Sequence, residues 1–309
     1  MNMRDIRRLL TLLPQLSTYT NGGVNIMDSI TNDMKKTVSA ADTGGTENMF
    51  SDVTIAGRVL MPGSPNRIDM MTEQWDSCEF IKRLDREYRV ASGVYKETPI
   101  TAVSSGIGGP SFEIPFSHLL NRGVNTIIRV GSTGTLREDI NLGDIIINDS
   151  SVRLDGMSRQ YVREEFPAVA SYEVTLALVE ACENLGYTYH VGTGCTTASF
   201  YAGQARPAYG GYQRSDSNAF FGDMKNAGVL NFEMEGASLF TLSRIFGIRA
   251  GMCSAVIANR ITGEWLKHSG EEKSCLVGAE AVRILSGWDA LKAANRKGFF
   301  FPGLLKGTK

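Results

Sequence analysis

The sequence predicts an α/β fold, with helices on both faces of a sheet whose strands pair mainly in parallel. Three observations carry that prediction. Apolar runs such as Thr126-Ile127-Ile128-Arg129-Val130 and Arg249 to Ala258 show almost no polar alternation, as expected of strands buried on both faces. Between them lie segments with helical spacing of apolar residues. Glycine is abundant, 33 of 309 residues against an average near 7%, and the excess falls in short turns between the apolar runs.

The elements follow in order. Residues 1 to 50 read as a mobile N-terminal extension: a frayed terminal helix to Leu16, for which a targeting peptide is the other reading, weakened by Asp5 and Pro14, then a Thr-, Asn-, Asp-, Gly- and Ser-rich stretch without a sustained period. Residues 51 to 309 read as one domain, because no linker divides them. Val59-Leu60-Met61 is a short strand ending in the turn Pro62-Gly63-Ser64-Pro65. Ile100 to Ser104 is a second, followed by Gly106-Ile107-Gly108-Gly109-Pro110 and a helix through Leu120. Strands are then expected at Thr126 to Val130 and Asp144 to Ile147.

A helix spans Tyr172 to Leu185, with Val174, Leu178, Ala181 and Leu185 on one face and Gly186 as its stop. A strand near Tyr189 to Gly194 comes next. An acidic strand end at Asn231-Phe232-Glu233-Met234-Glu235 then leads into a helix through Phe246. The strand Arg249 to Ala258 and an amphipathic helix over about Glu272 to Leu291 complete the order.

Composition excludes several classes of function. A net charge of −1 and a pI near 6.3 argue against a nucleic-acid surface. No run approaches the roughly 20 apolar residues of a transmembrane helix. Five cysteines without metal-ligand spacing point to reduced core residues and a cytoplasmic protein. No dinucleotide fingerprint is complete: in Ser105-Gly106-Ile107-Gly108-Gly109-Pro110 the third glycine would fall at Ser111, and Pro110 would interrupt the helix. A phosphate-loop motif is absent too, so no nucleotide cofactor is expected. His118, His190 and His268 have no matching nucleophile motif and read as structural.

Five places concentrate polar chemistry. The turn at Gly63, with Arg67 one helical turn on, offers backbone N–H groups and a guanidinium fork to an anion; a capping turn beside a solvent-facing arginine is the other reading. Arg129 sits inside an apolar strand and needs an anionic partner, and Gly131-Ser132-Thr133-Gly134 follow at the strand's carboxyl end, where open α/β sheets bind ligands. Gln204 and Arg206 in Phe200-Tyr201-Ala202-Gly203-Gln204-Ala205-Arg206 can read an imide edge, with aromatics at hand for a flat base; exposed loop polarity is the alternative. Asn259-Arg260 ends a buried strand with another cation. Glu233 and Glu235, two carboxylates at one strand end, imply a ligand that supplies donors, for which a sugar diol is suited, or else a solvated helix N-terminus.

The runs SGIGGPS, IIRVGSTGTL, INLGDIII, SVRLDG, EFPAV, FYAGQAR, NFEMEGASLFTL and GIRAGMCSAVIANR together resemble the uridine phosphorylase branch of the nucleoside phosphorylase superfamily, over about residues 51 to 288. That resemblance implies a three-layer α/β/α fold with a mixed, largely parallel central sheet. It implies reversible phosphorolysis of uridine, with deoxyuridine and thymidine as further candidates, to uracil and the sugar 1-phosphate in pyrimidine salvage. Inorganic phosphate is then the co-substrate and no cofactor is needed.

By the same resemblance Gly63, Arg67, Arg129 and Ser132 match phosphate-binding positions, and Arg86 matches an arginine given to a neighbouring subunit's site. At least a homodimer follows, with a trimer of dimers as the alternative. Thr133, Glu233, Met234 and Glu235 match ribose contacts, Glu235 holding the diol. Gly134, Phe200, Gln204 and Arg206 match the base side, and Arg260 the arginine that assists the leaving base. Glu87, Ile107 and Ser111 match a monovalent-cation site at the dimer interface, with K+ the candidate ion.

Two departures stand out. Residues 1 to 62 contain no histidine for the 5′-hydroxyl, and Phe232 replaces a common tyrosine. Purine enzymes of the superfamily carry aspartate in place of Asn259 and lack the Gln204–Arg206 insertion, so uracil is favoured over purine. The rival readings are a purine nucleoside phosphorylase, a hydrolytic nucleosidase and a catalytically silent nucleoside-binding protein.

Overall fold

The computed structural model describes residues 48–84, 86–266 and 270–306, except the side chains of Arg83 and Lys306. The expected extension through residue 47, and His268, lie outside the described residues. Among the described residues, ten strands and six α-helices follow in the order β1 (Arg58–Pro62), α1 (Arg67–Thr72), β2 (Ser77–Arg83), β3 (Arg89–Tyr95), β4 (Thr98–Val103), α2 (Gly109–Leu120), β5 (Thr126–Thr135) and β6 (Ile145–Leu154). The order continues with β7 (Ala168–Val169), α3 (Tyr172–Leu185), β8 (Tyr189–Thr197), α4 (Ser217–Asn226), β9 (Asn231–Glu233), α5 (Gly236–Ile245), β10 (Arg249–Asn259) and α6 (Glu271–Ala294).

The sheet is mixed, in the order β10-β6-β8-β9-β5-β1-β4-β3-β2, with β7 pairing off this path with β6, and β5 also pairs with β10. That extra pairing closes β5, β10, β6, β8 and β9 into a ring, while β1, β4, β3 and β2 extend from it as an open wing. The two longest ladders, β5–β10 and β6–β8, are parallel. Antiparallel pairs bring β10 to β6, β5 to β9, and the β2–β3–β4 meander together. The expected layered sheet is therefore present but partly rolled into a barrel.

β5 is the pivot of the fold. On one side it pairs with β10 from Thr126 to Thr135. On the other it pairs with β1 from Thr126 to Val130 and with β9 at Gly134 and Thr135. The sheet forks between those two partners, and the fork leaves β5 side chains facing a gap. Opposite the gap β10 bulges, since Val256 pairs with Thr133 but Ala258 with Gly134, leaving Ile257 as the extra residue.

Helices cover both faces, as uninterrupted apolar strands require. Leu60, Ile128 and Val130 pack towards α1, α3 and α6, while Val59, Met61 and Ile127 pack towards α2 and α5. Each face buries alternate residues of the same strands. The predicted stop of α3 is borne out: Gly186 is left-handed (φ 67°) and its N–H bonds to Cys182 and Glu183 carbonyls. Pro110 opens α2 rather than interrupting it, since the first helical turn has no partner for that N–H.

Past α6 the chain doubles back. Phe300 stacks on Trp288 with centroids 3.9 Å apart and planes 6° from parallel, and its N–H bonds to the buried Glu173 (2.8 Å).

Candidate active site

A cavity of about 590 Å³ opens at the fork, at the carboxyl ends of β1, β5 and β10. Gly63, Arg67, Arg129, Ser132, Thr133, Gly134, Phe200, Gln204, Arg206, Glu233, Met234 and Glu235 all line it, together with Glu87 and Ile107. Nearly every residue singled out in the sequence is thus brought to one place by the topology.

At one end are two guanidinium groups. Arg67, at the start of α1, donates to the Val130 carbonyl (3.1 Å) and to Ser132 Oγ (3.1 Å), and pairs with Glu271 in the first turn of α6. Arg129 is only 6% exposed, pairs with Glu235, and lies 3.8 Å from Glu233 through its Nε. Its Nε and Nη1 have no hydrogen-bond partner among the described residues. A side chain at Gly63 would place Cβ 3.7 Å from that Nη1 and 3.2 Å from the Gly106 carbonyl, so the glycine leaves the guanidinium open. Buried donors without acceptors are costly, and an anion at this spot would satisfy them.

The acidic pair differs from its expected arrangement. Glu233 ends β9, but Glu235 stands outside the strand as the residue preceding α5, so the two do not project side by side from one strand. The protein itself supplies the donors of Glu233, while Glu235 Oε2 has no hydrogen-bond partner among the described residues. Glu233 accepts the N–H groups of Glu235 and Gly236, each at 2.7 Å, and the Thr196 hydroxyl. It is a cap on α5 as well as part of the cavity wall, and its carboxylate is already committed. Burial, and then the charge of Glu235, push its pKa up. Glu235 accepts the Gly108 N–H (2.6 Å) through one oxygen and faces Arg129 with the other. Glu233, expected to need a ligand's donors, is therefore satisfied without one.

Thr133 is likewise engaged: its hydroxyl donates to the Phe232 carbonyl (2.7 Å) and accepts from Asn231 Nδ2 (2.9 Å). The far end of the cavity carries Gln204, Arg206 and Phe200. The Arg206 guanidinium lies 4.6 Å above the Phe200 ring, which also meets Tyr201 edge-on. Arg260 stands just behind, its Nη2 donating to the Gln204 carbonyl (3.0 Å) and its guanidinium over Phe221 and Phe232. A methyl on Gly134 would touch Arg206 Nη2 and Arg260 Cγ, both at 3.5 Å. Neither arginine makes an ion pair among the described residues, and Arg260 Nη1 has no hydrogen-bond partner. Burial, then the charge of Arg206, lower Arg260 to about 10, and burial lowers Arg206. Two crowded cations without counter-ions form a locus for negative charge.

Arg86 does not line the cavity of its own chain. It is exposed, with φ 59°, on an adjoining depression that shares Pro65 and Glu87 with the cavity. Ser111 stands behind the wall and donates to Glu87 Oε1 (2.5 Å) and the Ser105 carbonyl (2.8 Å). That hydroxyl holds the Glu87 carboxyl below its usual range. The two described histidines do not line the cavity: His190 meets Asp144 (2.9 Å), and burial lowers the pKa of His118.

Three wall residues had no sequence signal: the bulged Ile257, its neighbour Ala258, and Trp265, whose backbone bridges to Ala258. The dipeptide Glu264-Trp265 in a polar loop was the available hint, an aromatic with no helix or strand to bury it. No helix among the described residues is long and apolar enough to cross a membrane.

A forked mixed sheet with helices on both faces, and arginine-rich ends on a cavity at its strand termini, defines an α/β protein with cationic groups at two separated points of one cavity. A family model described as phosphorylase superfamily matches residues 58–285, and the chain belongs to that superfamily.

Among its relatives is a uridine phosphorylase of Thermococcus kodakarensis, 48% identical over 81% of this chain and 90% of that protein. A uridine phosphorylase of Escherichia coli is 38% identical over 72% of this chain and 86% of its own. A guanosine phosphorylase of Halorubrum lacusprofundi is 32% identical over 66% of this chain and 79% of its own.

Proposed function

We propose that this protein is a uridine phosphorylase, cleaving uridine reversibly with inorganic phosphate to uracil and ribose 1-phosphate. The observation that carries this reading is the pair of arginine sites at opposite ends of one cavity, with the Glu235 carboxylate between them: Arg129 keeps two unpartnered donors at one end, and Arg206 and Arg260 lack counter-ions among the described residues at the other. Phosphate occupies the Arg129 end, where Gly63, Arg67 and Ser132 complete its ring of donors. Glu235 and Met234 hold the ribose, and Glu235 accepts from the diol. Glu233 acts behind them by fixing the start of α5.

The base lies between Phe200, Gln204 and Arg206, and Gln204 matches the donor–acceptor edge of uracil. As the glycosidic bond lengthens, positive charge grows on the sugar and negative charge on the departing base. The phosphate meets the first, and Arg206 with Arg260 meet the second. Such preorganised charge acts chiefly on the transition state. Fixing both reactants removes an entropic barrier of up to about 7–11 kcal/mol in ideal cases. No covalent nucleophile is required.

The position of Arg86 supports a homodimer at least, in which this exposed arginine completes the partner's phosphate site. Glu87, the Ser111 hydroxyl and the Ile107 carbonyl are hard oxygen donors suited to a monovalent cation such as K+ beside that interface. Residues 51–309 form the catalytic unit of this reading, and its setting is cytoplasmic.

The test is a rate survey over uridine, deoxyuridine, thymidine and inosine with and without phosphate. Phosphate-dependent release of uracil is expected. Uridine left intact while inosine is cleaved would overturn the base assignment, as the guanosine-cleaving relative makes worth checking. A rate indifferent to phosphate would instead indicate a nucleosidase, and tight binding without product a silent binder.

A further inference from the structure

Asn259 is 3% exposed at the end of β10, and all four hydrogen-bonding positions of its side-chain amide are filled. Nδ2 donates to the carbonyls of Arg137 (3.0 Å) and Ile140 (3.1 Å), both in the loop that follows β5. Oδ1 accepts from the N–H groups of Ile261 (2.9 Å) and Thr262 (3.1 Å), in the loop that follows β10. The orientation is forced, because the flipped amide would set an oxygen against two carbonyls and an NH2 against two N–H donors.

One amide thus ties together the two loops that flank Arg260. The backbone N–H of Arg260 bonds to the Thr135 carbonyl (2.9 Å), opposite Asn259 in the β5–β10 ladder. Little else among the described residues fixes the guanidinium: there it makes one hydrogen bond, to Gln204, and rests on aromatic faces.

We propose that Asn259 is a positioning residue for Arg260, acting through these two loops and not through contact with the base. The inference rests on the uridine phosphorylase reading. It also changes the meaning of asparagine at this position. A residue whose donors and acceptors are all consumed by backbone has no group left for a purine nitrogen. Replacing it with aspartate would not create a purine-protonating acid, because the new oxygen would face two carbonyls and repel the loop that carries them.

The test compares Asn259→Asp with the unaltered enzyme. The expected result is a fall in kcat/KM for uridine of about fiftyfold or more, the scale of losing an oriented charged group, with KM for phosphate within about twofold. Inosine cleavage should not appear. The loss should be at least severalfold smaller for 5-fluorouridine, whose fluorine stabilises the departing anion without help, and it should nearly vanish in an Arg260→Ala background.

Amide hydrogen exchange at residues 260–262 should quicken in the variant, a readout that survives even if the substrate assignment is wrong. If Asn259→Asp does not fold, Asn259→Ser, which keeps one donor and acceptors, should give the same pattern in weaker form. An unchanged kcat/KM, an equal rise in KM for phosphate, unaltered exchange or a gain of inosine cleavage would each overturn the proposal.

Discussion

Replacing Arg129 with methionine tests the electrostatic frame of the site. The side chain is buried, pairs with Glu235, and stands 3.8 Å from Glu233. Methionine keeps much of the volume and removes the charge, leaving two carboxylates buried without their cation. Breaking one side of such a pair costs about 3–5 kcal/mol. At roughly 2–4 °C per kcal/mol for a protein of this size, the melting temperature should fall by about 6–20 °C.

The pH dependence has a definite sign. Glu233 already has a raised pKa from burial and from Glu235, so folding favours its protonated form. Its cost to stability is absent below the unfolded value near 4.5 and grows as pH rises above it. Removing Arg129 raises Glu233 further, so the loss at pH 8 should exceed that at pH 4.5. Thermal unfolding without phosphate, run across that range, measures it. Adding Glu235→Gln should recover part of the loss at pH 8. A loss under about 1 kcal/mol, or one indifferent to pH and to Glu235→Gln, would refute the reasoning.

Three further outcomes are expected. Glu271→Ala frees the Arg67 guanidinium and should raise KM for phosphate about tenfold while moving KM for uridine little, a split visible in initial-rate kinetics. Gly106→Ala places a Cβ 2.2 Å from Ser111 Oγ at a φ of +70°, so at least about 1–2 kcal/mol should be lost from conformation alone, read by denaturant unfolding. Ending the chain after Lys297 removes Phe300 and Leu304 from the core, and at about 1.5–3 kcal/mol each the protein should melt several degrees lower with kcat nearly unchanged.

How much of this was legible beforehand depended on what each signal encodes. Arg129 could be found because a cation inside an apolar run contradicts its neighbours, and burial makes the contradiction meaningful. Gly186 could be found because its left-handed conformation is a local demand. The β2–β3 hairpin and α4 went unread: Ser77 to Arg83 mixes charge with apolar residues, and Ser217 to Asn226 has only a weak apolar face. The β5–β10 ladder that closes the ring was out of reach, since pairing between distant strands leaves no local pattern. Glu233 shows the limit most clearly. Its type and position were read correctly, but whether its donors come from a ligand or from the start of α5 depends on where three amide and hydroxyl protons point.

The fork in the sheet has a further consequence. Arg129 and Gly134 belong to one strand, five residues apart, and at about 3.3 Å per residue the strand sets their spacing at roughly 16 Å. β5 therefore works as a ruler between the two ends of the cavity, clamped along its whole length by β10. Deleting or adding one residue within it would turn every following side chain to the opposite face. Changes in the loops at its ends would reshape the cavity, while the distance between its two ends stays fixed by the strand.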